Sequence, residues 1–174
     1  MQEELMPGRE TQDWMWEEIE KKPRNISFDR PYILTYFLGE RDKEQKEYIE
    51  NVSCEYNMRI FNLLDYTMPE IYIAGPSEFL YLLHHAAMVC TDSFHASVFS
   101  IIFHTPFIVF ERNGNGKIMG NRIDTLLSIL SLENHKYQNK SITNIFDIDY
   151  DKAEKIVEEK TNLSLSYLRK AFED

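Results

Sequence analysis

The stretch from Met88 to Phe110 constrains the fold more than any other. Met88-Val89-Cys90 is a short apolar run of strand character. It breaks into a polar corner, Thr91, Asp92, Ser93 and His95. A helix-compatible pattern resumes up to Phe103, and Thr105-Pro106 then leads into a second apolar run, Phe107 to Phe110. The order is strand, polar corner, helix, strand. In an open parallel sheet such a corner lies at the carboxyl end of a strand, where ligands bind in this architecture. The helix that follows points its first free N–H groups at the corner and favours an anion there. Asp92 or Ser93 is placed to cap that helix, and His95 falls in its first turn.

The rest of the chain repeats the alternation. Tyr32 to Leu38 is nearly continuous in apolar and aromatic residues, as expected of a parallel strand covered on both faces. Asp42 to about Tyr56 reads as a helix with Tyr48, Ile49 and Val52 on its inner face, and Arg59 to Leu64 as a second strand. A short strand is expected at Ile71 to Ile73. Gly75-Pro76-Ser77-Glu78 is a sharp helix start, with Pro76 suited to the first helical position and Glu78 complementing the dipole. Glu111 to Lys117 is a glycine-rich polar loop without the spacing of a phosphate-binding fingerprint. Arg122 opens the next helix. Ile145 to Ile148 is expected as a short strand, with two amphipathic helices after it, Tyr150 to Lys160 and Leu163 to Phe172. Strands alternating with helices predict an α/β fold, a Rossmann-like, mainly parallel sheet flanked by helices.

Several residues have structural readings. Thr11 to Glu20 suits a short helix with Trp16 as a core anchor. Cys54 and Cys90 are the only two cysteines and form neither a disulfide framework nor a zinc pattern; Cys90 reads as a buried thiol. His84 and His85 are adjacent, so a helix points them about 100° apart. They read as boundary histidines that do not easily share one metal. The formal net charge of −10 argues against non-specific binding to nucleic acid or anionic membranes. Met1 is followed by Gln, Glu and Glu rather than by a basic and then an apolar segment, and no apolar run is long enough to span a bilayer. A cytoplasmic location is the expectation.

The blocks Gly75-Pro76-Ser77-Glu78-Phe79-Leu80, Thr91-Asp92-Ser93-Phe94-His95, Phe99-Ser100-Ile101 and Pro106-Phe107 occur in that order. Together they resemble the polysaccharide pyruvyl transferase family. Arg122 to Leu127, Trp16 before Lys21-Lys22-Pro23, and Ser164 to Ala171 extend the likeness. The resemblance implies the C-terminal half of a glycosyltransferase-B-type fold, with the acceptor-side half preceding residue 1. Residues 1–29 would be a leader and short helix, and residues 30–174 the donor-binding domain with C-terminal helices. It further implies transfer of a pyruvyl ketal from phosphoenolpyruvate to a sugar of a surface polysaccharide or its precursor. That chemistry needs no metal and no cofactor beyond the donor substrate. Its partners are phosphoenolpyruvate, a saccharide acceptor and the other half of the fold, and the isolated chain is expected to be inactive.

The donor carries a phosphate and a carboxylate, so cations and N–H groups must hold it. A proton must move to the enol carbon and another must leave a sugar hydroxyl. The resemblance makes His95 the catalytic residue and places substrate contacts at Asp92, Ser93, Ser97, Arg122 and Glu78. The chain departs from the family pattern where many relatives carry arginine at Phe94 and glycine at Ala96. Losing the arginine removes an anion clamp; Arg112, Lys117 and Arg122 are the candidate replacements. Two other readings stand beside this one. A sugar-nucleotide-dependent glycosyltransferase half-domain would use Glu78 as its ribose-binding carboxylate, and a non-catalytic binding or assembly domain would use none of these residues.

Overall fold

A computed structural model describes residues 15–16, 18–113, 117–138, 145–146 and 148–173, with the side chains at 117–121 and 173 excepted. Among these, four strands form one parallel sheet: β1 (Tyr32–Tyr36), β2 (Arg59–Asn62), β3 (Met88–Thr91) and β4 (Phe107–Val109). The order across the sheet is β2-β1-β3-β4. Ile33 lies opposite Ile60 on one side and Met88 on the other, and Cys90 opposite Ile108. All four residues of β3 are buried, which is why its sequence is apolar without alternation.

Two cores follow from the strand pleat. Tyr32, Leu34, Phe61, Val89 and Phe107 pack on one face against helices α3 (Pro76–His84), α4 (Phe94–Ile102) and α5 (Lys117–Leu130). Ile33, Met88, Cys90 and Ile108 pack on the other against α1 (Lys43–Glu55), through Ile49 and Val52. Asp42 starts α1 with a capping box: its carboxylate accepts from Gln45 N–H at 2.8 Å, and the Gln45 side chain accepts from Asp42 N–H at 3.2 Å. Trp16 stands edge-on to Phe99 and Phe103, with ring centroids 5.8 and 5.5 Å away. It anchors the N-terminal segment as expected. Cys90 is fully buried, and burial pushes its thiol pKa up, so it is inert packing.

Four expectations are corrected. The segment expected as a strand at Ile71 to Ile73 is a helical turn, α2 (Pro69–Tyr72), started by Pro69 and holding Ile71 in the core. A three-residue apolar run has no readable period, and proline at the first position decides it. Helix α5 begins at Lys117 rather than Arg122. Residues 145, 146 and 148 are not strand, although Ile145 is buried. The two terminal helices are one, α6 (Tyr150–Glu173). Thr161 and Asn162 each cost a helix only about 0.7 kcal/mol relative to alanine, too little to end one without Pro or Gly. No helix of the described residues is long and apolar enough to cross a membrane.

Candidate functional site

The chain moves from β1 to β2 on one side of the sheet and then to β3 on the other. The carboxyl ends of β1 and β3 therefore flank the topological switch point, the usual ligand crevice of such a sheet. Here the crevice is bridged by protein groups. The Thr91 hydroxyl donates to the Tyr36 carbonyl. Asp92 Oδ1 accepts from Leu38 N–H at 2.7 Å and Oδ2 from Gly39 N–H at 2.9 Å. Arg112, just beyond β4, donates from Nε to Asp92 Oδ2 at 3.0 Å and from Nη2 to the Asp92 carbonyl at 3.1 Å. Asp92 is 3 % exposed, so this is a buried, fully partnered carboxylate. Gly39 is needed for the close approach: a Cβ there would lie 2.7 Å from Arg112 Cγ and 3.2 Å from Asp92 Oδ2. Behind the bridge, a cavity lined by Asp92, Arg112, Asp124 and Lys136 measures about 20 Å3, room for one water.

The open surface begins two residues later. Ser93 is the N-cap of α4 with extended backbone (φ −97°, ψ 128°), and its side chain makes no capping bond. Its own N–H donates to Thr91 Oγ1 at 3.0 Å. The first intrahelical bond runs from Ser97 N–H to the Ser93 carbonyl at 3.1 Å. The N–H groups of Phe94, His95 and Ala96 thus have no acceptor within the helix. His95 is exposed, edge-on to the Phe94 ring at 5.9 Å. Arg122, from α5, lays its guanidinium over the same ring, Cζ 4.2 Å from the centroid. One helix start therefore carries free N–H donors, an imidazole and a guanidinium supported by a half-buried ring.

The expected site residues divide by direction. His95 and Arg122 are exposed beside Phe94. Asp92 neither caps α4 nor orients His95, because both its oxygens serve Leu38, Gly39 and Arg112. Ser93 and Ser97 are buried, and the Ser97 hydroxyl donates back to the Ser93 carbonyl at 2.9 Å. Arg112 is engaged by Asp92, and the Lys117 side chain and Gly114 to Gly116 lie outside the described residues. Glu78 lines a separate cleft of about 370 Å3 with Lys21, Arg24 and Glu70.

Two features escaped the sequence. Phe94 reads in sequence as a lost cation, whereas in space it is the platform for one; only the packing of α5 on α4 reveals it. Glu20 is the other. His84 Nδ1 lies 2.9 Å from Glu20 Oε2, and His85 Nε2 lies 2.8 Å from Oε1. The two histidines, expected to point apart on a helix, meet the same carboxylate. His85 is the C-cap of α3, outside its regular turn, and the two rings use different nitrogens. Nothing in the spacing of Glu20 to His84, 64 residues apart, signals this.

The family model described as polysaccharide pyruvyl transferase matches residues 6–114, well over half of the 174-residue chain. The matched span includes the Gly75 and Thr91 blocks and stops before Arg122 and the Ser164 block. No curated protein and no solved structure matches the chain.

Proposed function

Because the chain belongs to the polysaccharide pyruvyl transferase family, we propose that the α4 start is the surface that holds phosphoenolpyruvate while a sugar diol is ketalised. The observation that carries this reading is the Phe94, His95 and Arg122 cluster at the carboxyl edge of β3. The free N–H groups of α4 and the Arg122 guanidinium suit the donor's phosphate and carboxylate. Arg122 on Phe94 takes the place of the arginine that many relatives carry at that position. The ring lowers the side-chain freedom that a lone surface arginine would lose on binding.

In the reaction, C3 of the donor gains a proton and C2 forms two bonds to sugar oxygens. The C2–O bond to phosphate breaks, and the two hydroxyl protons end on C3 and on the released phosphate. His95 is exposed at the corner and is the group available to move one of these protons or to contact the leaving phosphate. Asp92, Arg112 and Gly39 do not touch the donor in this reading. They fix the β3–α4 corner so that the helix start is presented rigidly.

NMR titration with phosphoenolpyruvate tests this. Shifts are expected at Phe94 to Ser97 and at Arg122, weakened at least tenfold by Arg122→Ser and lost with His95→Ala and Arg122→Ser together. Shifts with a uridine-diphosphate sugar but none with phosphoenolpyruvate would overturn the proposal in favour of a nucleotide-sugar site. Phosphoenolpyruvate shifts confined to the Glu78 cleft would move the donor site there.

A further inference from the structure

Near the amino end of β3, opposite the polar corner, we infer that Glu20, His84 and His85 form a site for a divalent transition-metal ion of the zinc class. The donor atoms, one from each residue, all lie within 4.8 Å of one another. The Glu20 side chain is 9 % exposed, His84 25 % and His85 44 %, so the carboxylate lies inside and one flank faces solvent. Two imidazoles and one carboxylate are a donor set that suits Zn2+ and its neighbours, with a further position left for water.

The geometry is close to what such an ion needs. Ligand atoms bound at about 2.0–2.1 Å around a tetrahedral ion stand about 3.3 Å apart. The two nitrogens are 2.9 and 2.8 Å from the two carboxylate oxygens, and the three donor atoms all lie within 4.8 Å, so an ion enters by widening the short gaps and drawing the widest donor pair in towards that spacing. The rings are aimed by other groups than the carboxylate. His84 stacks on Phe103 at 4.6 Å and 20°, and His85 lies on Tyr81 at 4.2 Å and 35°. Glu20 is set by its own backbone: its N–H donates to the Trp16 carbonyl at 2.8 Å, and the next N–H, of Lys21, donates to the Ser77 carbonyl at 3.0 Å. Coordination requires a lone pair on each facing nitrogen, so the proton there moves to the other ring nitrogen or to water.

The ion would staple the segment carrying Trp16 and Glu20 to the end of α3. This site is independent of the donor reading, since His85 precedes β3 and His95 follows it.

The test is titration of the chelator-treated chain with Zn2+ by calorimetry and with Co2+ by visible absorption. One ion per chain is expected, with a micromolar or tighter dissociation constant, and Co2+ bands of a nitrogen- and oxygen-ligated ion. His85→Gln, at a half-exposed position, and Glu20→Gln should each weaken Zn2+ binding at least tenfold, with the fold of each variant checked by its thermal melt. Imidazole nitrogen shifts should fall on His84 Nδ1 and His85 Nε2. Absence of micromolar binding overturns the inference, as does binding that either variant leaves unchanged.

Discussion

Asp92 and His95 stand three residues apart on one corner, and the fold treats them in opposite ways. Asp92 turns into the switch-point crevice, is 3 % exposed and has every oxygen partnered. His95 turns outward at the start of α4, exposed beside one ring. Both are polar residues of one motif, and proximity alone does not separate a group that builds a site from a group that meets a ligand. The accounting of partners does. A buried charge must be paired to be tolerated, so a fully paired one has little left to offer a substrate.

That division is open to attack in order of size. Asp92→Ala should cost about 3–5 kcal/mol of stability, because it strands the half-buried Arg112 and two backbone donors. Chemical denaturation measures it, and a loss below about 1 kcal/mol would mean that the bridge is not structural. Gly39→Ala should cost about 1–3 kcal/mol through overlap with Arg112 Cγ. Because Arg112→Ala removes the overlapping atom, the double variant should lose less than the two single losses together, and strict additivity would place the strain elsewhere.

A buried histidine sharpens the contrast. His135 is 1 % exposed, stacks on Phe107, and leaves Nδ1 without a hydrogen-bond partner among the described residues. Burial holds its pKa below the ordinary 6.5. Below that value the unfolded chain binds a proton that the folded chain refuses, so stability falls as the pH drops from about 6.5 towards the lowered value. The slope of stability against pH in that window should flatten in His135→Gln; an unchanged slope would show that other groups cause it. The smallest effect on stability belongs to His95→Ala, within about 0.5 kcal/mol of the parent, since an exposed ring is removed from a surface. A thermal melt that moved by many degrees would make His95 part of the fold instead.

The α/β class, all four strands, the start of α3 at Pro76, the anchoring of Trp16 and the inertness of Cys90 were legible in the chain. Each depends on a local pattern: unbroken apolar runs, helical spacing, a proline at a helix start. The joined α6, the early start of α5 and the helical turn at Pro69 were not, because weak local preferences yield to continuity and packing. On the candidate site, the motif points to one polar corner but not to which side chains face out of it. The direction of Asp92 depends on Leu38, Gly39 and Arg112, and the role of Phe94 on Arg122.

The sequence by itself determined the family, the alternating architecture and the position of the polar corner, since these are written in order and spacing along one dimension. The tertiary structure alone decided that Asp92 seals the crevice, that Phe94 carries Arg122, and that Glu20 meets His84 and His85. Each of those contacts joins segments 20 to 65 residues apart. Hydrogen bonds and ring contacts act only over a few ångströms, and no periodicity in the chain encodes which distant segments will come that close.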